Sequence, residues 1–249
     1  MTKSTKDEFV CIDCETTGLD TAKDEVIEVA VVRFTMDTTL DSFETLLDPG
    51  VIIPEESIKI HHITQDMVQD KPKVRKILPQ ISKFFEGNPY IVGHGVSFDL
   101  DILNRYSAGH PSLVYAKNRV IDTLRLARLY GQSPTNSLES LREHFNIQAL
   151  GAHRAMSDVL VNIQVFKQLS LNYQSAKDVL KVLEKPIFLP NMPLGKHKGR
   201  PMKEVPVDYL RWAAKQKFDY DLLYTIRREI KRRQMGNSFN QSANPFSSL

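Results

Sequence analysis

What the chain lacks narrows its setting first. It has two cysteines in 249 residues, too few to suggest a disulfide framework where no secretory signal is seen. The opening MTKSTKDEFV carries no apolar core of a signal peptide. No hydrophobic run approaches the roughly 20 residues of a membrane span. No internal repeat recurs, and the turn G-K-H-K-G-R lacks both the G-x-x-x-x-G-K-[ST] order and the preceding strand of a P-loop. These absences argue against secreted, membrane-spanning, repeat and P-loop classes. They predict a reduced, cytoplasmic protein with no membrane partner.

What is present is ordinary in bulk and uneven along the chain. Hydrophobic residues make up 41% and charged residues 25%, as in globular domains generally. The length suffices for one large domain, or for a domain with a smaller module. The net charge of +3 hides an asymmetry. Residues 1–180 hold 19 Lys+Arg against 24 Asp+Glu, a net −5, while residues 181–234 hold 14 against 6, a net +8. An acidic front and a basic rear imply two units with different work, and nucleic acid is the usual partner of such a basic segment.

Periodicity orders the front. Phe9-Val10-Cys11-Ile12, the run VIEVAVVRFT at 26–35 and Asp41 to Leu47 predict three strands in close succession, and short connections make them antiparallel. A helix is expected over Val74 to Phe85, perturbed by Pro79. Then come a strand at YIVGH (90–94), a helix over Phe98 to Tyr106, a strand edge passing into a helix at RVIDTLRLARLY, a helix over Ser137 to Phe145 with Ser137 or Ser140 as cap, and a long helix over Ala152 to Leu171. The fold class expected is α/β, a mixed sheet with helices packed on it. The expected boundaries are a main domain at 6–174, a small basic module at 181–234 and an unstructured polar tail at 235–249.

One stretch, EFVCIDCETTGLD, offers two chemistries: a C-x-x-C pair and a D-x-E pair. Alternation along a strand puts Cys11, Asp13 and Glu15 on one face and Cys14 on the other. Thiols on opposite faces cannot grip one metal or close a disulfide, so the cysteines are packing residues and the carboxylates remain. Further acids follow in context: Asp99 in GHGVSFDLDIL, just after a strand, and His153 with Asp158 in HRAMSD. His153 and Asp158 are five apart, which puts His153 in the loop or first turn and Asp158 one turn inside the helix.

The order Asp13-x-Glu15, then G-H-x-x-x-F-D ending at Asp99, then H-R-A-x-x-D from His153 to Asp158, resembles the DEDDh 3′–5′ exonucleases. Among them the likeness is to the epsilon proofreading subunits of bacterial DNA polymerase III, the DnaQ-like group. It extends to ETTGLD, to HHITQDMV and to IDTLRLAR, and so covers roughly residues 8 to 171. The resemblance implies a ribonuclease H-like sheet and hydrolysis of nucleic acid from a single-stranded or frayed 3′ end, with DNA the preferred substrate and RNA trimming the alternative. It implies two divalent ions, Mg²⁺ or Mn²⁺, held by Asp13, Glu15, Asp99 and Asp158. His153 is then the general base, since an imidazole with a reference pKa of about 6.5 suits proton removal near neutral pH. Thr16, Thr17, Gly18, His62 and Phe98 are the implied substrate contacts, although a plain turn, a structural histidine and a core phenylalanine would read the same. A DNA polymerase is an implied partner. One departure stands out: Gly95 follows His94 where the family usually has Asn.

The rear segment, MPLGKHKGRPMKEVPVDYLRWAAK, resembles a small bacterial module described as a quorum-sensing-regulated virulence factor. Lys196, Lys198 and Arg200 cluster on a glycine-flanked turn that suits phosphate. Tyr209 and Trp212, three apart on a helix, are expected to pack as core. A nucleic-acid-binding accessory is the reading preferred for the module, with protein docking as its alternative.

Overall fold

The computed structural model describes residues 7–107, 115–133, 135–148 and 153–242, the last seven as backbone only. The chain divides into two compact units, Met1–Leu183 and Glu184–Leu249.

The first unit is built on a five-stranded sheet in the order β3-β2-β1-β4-β5. The strands are β1 (Phe9–Thr16), β2 (Val26–Phe34), β3 (Thr39–Leu46), β4 (Tyr90–Gly93) and β5 (Val120–Asp122). β1 pairs antiparallel with β2, and β2 with β3, as short connections require. β4 runs parallel to β1, and β5 to β4, after longer crossovers. β2 is apolar almost throughout and nearly all buried, the mark of a strand covered on both faces. β3 forms the exposed edge.

Helices cover both faces of this sheet: α1 (Glu55–His61), α2 (Gln65–Val68), α3 (Val74–Phe84), α4 (Ser97–Asn104), α5 (Thr123–Tyr130), α6 (Leu138–His144), α7 (Ala155–Leu169) and α8 (Ala176–Leu183). One core joins Val10, Ile12 and Cys14 of β1 to α3 and α4, through Ile77, Leu78, Ile81, Leu100 and Leu103. α7 packs on the opposite face, against β1 and β2. Ser137 caps α6 by accepting the Ser140 N–H, 3.2 Å. Pro79 does not break α3. It removes one backbone donor, while the apolar stripe from Val74 to Phe84 remains buried on both sides of it. α8 spans the gap between the expected main domain (ending at 174) and module (starting at 181), and belongs with the first unit, which runs to Leu183.

The second unit has its own core of Leu189, Met192, Met202, Val205, Leu210, Ala213, Leu222 and Ile226. Its helices are α9 (Val207–Ala213) and α10 (Tyr220–Ser242). Asp221 and Thr225 of α10 are buried, and each accepts a backbone N–H from the entering chain, Ile187 and Leu189, both at 3.0 Å. α10 extends to Ser242, into the stretch expected to be unstructured, since propagating a formed helix is easier than starting one; residues 243–249 lie outside the described set. The expectation that Tyr209 and Trp212 both pack as core is corrected. α9 buries Leu210 and Ala213, so Tyr209 is half-buried against that core and Trp212 is turned out, 51% exposed. Among the described residues no helix is long and apolar enough to cross a membrane.

Candidate active site

The alternation of β1 places Cys11, Asp13 and Glu15 towards α7. Cys11 Sγ lies 3.8 Å from the Val159 carbonyl and 3.5 Å from Asn162 Nδ2, both on α7. The same packing brings Asp158, in the first turn of α7, over the strand. One ligand atom each from Asp13, Glu15 and Asp158 lies within 4.8 Å of the other two. Acids that stand far apart in the chain, on β1 and on α7, thus converge as their motifs imply. Both thiols are buried and free, and burial holds both far above the ordinary thiol range, as expected of packing residues.

Asp99 is close by but bonded differently. It sits inside the first turn of α4, whose N-cap is Val96, so it does not cap the helix. Its carboxylate, buried, accepts the Cys14 N–H at 2.9 Å and thereby ties α4 to β1 beside Asp13. His153 is exposed, two residues ahead of α7, with φ at 58°. A non-glycine residue there is uncommon and often marks a functional turn. Its backbone N–H bonds to the Asp158 carboxylate.

The electrostatics of the group are those of crowded anions. Burial first, then repulsion from Asp99, Glu15 and Asp158, holds Asp13 well above the usual carboxylate range. Burial pushes Asp99 to about 8 against the opposing pull of its hydrogen bonds. Glu15 rises to about 7 through burial and the charges of Asp158 and Glu28. Asp158 rises to about 6, chiefly through burial. The converging oxygens of Asp13, Glu15 and Asp158, each disfavoured as an anion, fit a hard divalent cation that would relieve their mutual repulsion.

Two residues that matter here were not singled out in the sequence. Glu28 of β2 stands opposite Glu15 in the register and is almost fully buried. It receives Arg154 Nη2 at 2.6 Å, Arg154 Nε at 3.1 Å and the Ala155 N–H at 3.0 Å. It therefore fixes the N-terminus of α7 and the turn that holds His153. A lone acid in the apolar run VIEVAVV was the available signal, since a buried carboxylate needs a partner. The second is His61. Its Nδ1 accepts the Ile63 N–H at 3.0 Å, which leaves the proton on Nε2, and Nε2 is buried without a hydrogen-bond partner among the described residues. Burial also lowers its pKa, in the same direction as an Nδ1 that accepts. His62, the residue first singled out, is instead the exposed left-handed cap of α1 with φ at 58°.

The remaining candidates lie around the first turn and the start of α4. Thr16 Oγ1 donates to the Gly18 carbonyl at 2.6 Å, and Thr17 Oγ1 donates to Asp24 at 3.1 Å. Ser57 of α1 donates to the Thr17 carbonyl at 2.7 Å. A Cβ on Gly18 would stand 2.6 Å from the Asp24 carboxylate, which would have to move aside. Phe98 is half-buried against the core of β1, α3 and α4. Gly95 has φ at 72° with nothing within 4 Å of a built Cβ, a backbone region that suits Gly or Asn.

Comparison with known proteins places this geometry. The exonuclease family model matches residues 10–166, and a model described as "Putative quorum-sensing-regulated virulence factor" matches residues 181–223. The DNA polymerase III subunit epsilon of Aquifex aeolicus (strain VF5) is 35% identical over 159 residues, 64% of this chain and 78% of that one. The PolC-type DNA polymerase III of Caldanaerobacter subterraneus subsp. tengcongensis is 31% identical over 198 residues, 77% of this chain but only 14% of that much longer protein. Among solved structures, exonuclease X in complex with 5′ overhanging duplex DNA superimposes with a TM-score of 0.55 at 24% identity, covering 69% of this chain and 99% of that one. E. coli exonuclease I in complex with a dA16 oligonucleotide gives a TM-score of 0.62 at 20% identity, over 72% of this chain and 43% of that one. These two share the fold. The chain belongs to the exonuclease family, in its DEDDh 3′–5′ branch.

Proposed function

We propose that the protein removes nucleotides from single-stranded or frayed 3′ ends of DNA in proofreading or repair, releasing 5′ mononucleotides, in the cytoplasm and in the service of a DNA polymerase. The convergence of Asp13, Glu15 and Asp158 on one point, with Asp99 beside them, carries this reading. Two divalent ions, Mg²⁺ or Mn²⁺, would be held by these four carboxylates and would supply water activation and neutralisation of the phosphate's developing charge. His153, on an exposed turn anchored through its own N–H to Asp158, takes the proton from the attacking water. Asp99 holds β1 in place by its bond to Cys14 and lends its charge to the same site. Thr16, Thr17 and Gly18 offer backbone groups to the terminal nucleotide from a turn already braced by Asp24 and Ser57. The unpartnered Nε2–H of His61 is a donor of the kind a substrate oxygen would accept. His62 and Phe98 lie at the margins of these elements and would make lesser contacts.

The test uses matched linear DNA, linear RNA and circular single-stranded DNA, with Mg²⁺, with Mn²⁺ and with chelator. Linear DNA should be shortened stepwise from its 3′ end only when metal is present. Cleavage of the circle would overturn the exonuclease polarity, and faster digestion of RNA would reassign the substrate. Adding a polymerase and finding no change in rate would remove that partner.

A further inference from the structure

The second unit carries a row of rings on its surface that the exonuclease chemistry does not use. Trp212, the chain's only tryptophan, is half in water, an uncommon state for so large an apolar side chain. Tyr209, one turn earlier on α9, lies against it with ring centroids 5.2 Å apart and planes at 44°. His197 meets Tyr209 edge-on, 4.5 Å between centroids and 81° between planes. The three rings therefore run continuously from the turn at 195–197 onto α9. Gly195, with φ at 71°, makes this possible: a Cβ there would stand 2.6 Å from the Tyr209 hydroxyl.

Cations border the row. Lys196 and Lys198 flank His197 in the turn, Arg200 follows, and Lys215 comes one turn after Trp212; all are exposed, and none has an ion-pair partner among the described residues. The carboxylate on the same flank, Asp208, is taken up by Arg211 at 3.2 Å. The surface thus offers flat apolar rings and unneutralised positive charge together. A polyanion with stackable faces uses both at once.

We propose that this row is a docking platform for single-stranded DNA, with bases stacked on Trp212 and Tyr209 and phosphates on Lys196, Lys198 and Arg200. The choice of ligand rests on the exonuclease function proposed for the first unit. A protein partner would leave the unpaired cations unanswered unless it brought acids of its own.

Because Trp212 is the only tryptophan, its emission reports on the platform alone. Full-length protein is titrated with an oligo(dT) in chelator, so that the strand survives, while labelled oligonucleotide anisotropy follows binding independently. Emission should be quenched saturably, and acrylamide should reach the indole less well in the complex. The double variant Lys196→Glu, Lys198→Glu should weaken binding at least about 10-fold and flatten the log–log salt slope by about 0.7 for each phosphate it no longer engages. Trp212→Ala should weaken it about 5- to 100-fold, the range for a stacked base, and Trp212→Phe should recover most of that loss. Unchanged emission, whether or not the anisotropy rises, overturns the platform, as does a charge variant that binds like the parent; the surface then belongs to a protein partner. Hydrolysis of the same strand on adding Mg²⁺ is scored separately. Digestion with a silent tryptophan removes the platform and leaves the exonuclease, and quenching without digestion does the reverse.

Discussion

Glu28 sets the position of the turn that carries His153 without touching the His153 ring, because one buried carboxylate collects the Arg154 side chain and the Ala155 N–H. Replacing it by Gln keeps the size and one acceptor but loses the charged fork. Turnover should fall by about 10- to 100-fold, the range seen when partners that orient metal-site groups are removed. Arg154→Ala is expected to reduce stability more than Glu28→Gln, by about 1–3 kcal/mol, since it leaves a buried charge under-satisfied. Thermal melts alongside single-turnover rates separate the two effects; equal turnover in Glu28→Gln and parent would reduce Glu28 to a packing residue. His153→Ala should lower turnover by roughly 10²–10⁴-fold at saturating metal and remove the rise in rate with pH that loss of the imidazole proton gives the parent. A variant with the parent's rate and pH profile would show that another group takes the proton. The convergence of Asp13, Glu15 and Asp158 was legible because their two runs each carried a signature. Glu28 was not, because one acid in an apolar strand has many readings. His61 and His62 are chemically identical neighbours, and only the left-handed backbone at His62 decides which one is turned inward.

At the scale of elements, the site depends on β1 and α7 holding a fixed register. A polar seam between them does this: Asn162 of α7 accepts from Thr123 Oγ1 at 2.7 Å and donates to Cys11 Sγ at 3.5 Å, while His94 Nδ1 lies 3.1 Å from the same threonine oxygen. Asn162→Leu should reduce stability by about 1–3 kcal/mol, because Thr123 and Cys11 lose buried partners. Pairing it with Thr123→Val should lose less than the two singles added, by about 0.5 kcal/mol or more, as for residues in one network. Strict additivity in denaturant melts would show that the seam is not coupled. Four strands were legible from their apolar runs and β3 from its place after a short turn, and the antiparallel start from the short connections. The seam was not, since it joins residues from four separate segments through single polar atoms. Trp212 escaped for a related reason: spacing assigns it a helix face, but only the packing of Leu210 and Ala213 decides which face is covered.

For the whole molecule, the crowded carboxylates link stability to pH and to metal. Asp99, Glu15 and Asp158 have folded-state values of about 8, 7 and 6, all above the roughly 4 of the unfolded chain. A group whose pKa is raised on folding binds its proton more tightly in the native state, so its contribution is fully present below the unfolded value. That contribution is lost as pH rises through the folded value. Without metal, this site should therefore weaken the fold progressively between about pH 4 and 8. Glu229 acts in the opposite direction: hydrogen bonds from Arg232 and Arg233 hold it at about 2, so its contribution is present above the unfolded value and fades only in stronger acid. The two trends overlap little, and the difference between metal-loaded and metal-free protein isolates the first. A divalent ion competes with protons for the same oxygens, so the rise in Tm on adding Mn²⁺ should be small at pH 5 and grow steadily to pH 8. Asp13→Asn removes an acid that burial and its neighbours hold high. That variant should be more stable than the parent at pH 8 without metal and should gain little when metal is added. A metal-induced shift in Tm that is independent of pH, or one that survives Asp13→Asn unchanged, would place the stabilising ion somewhere other than among these carboxylates.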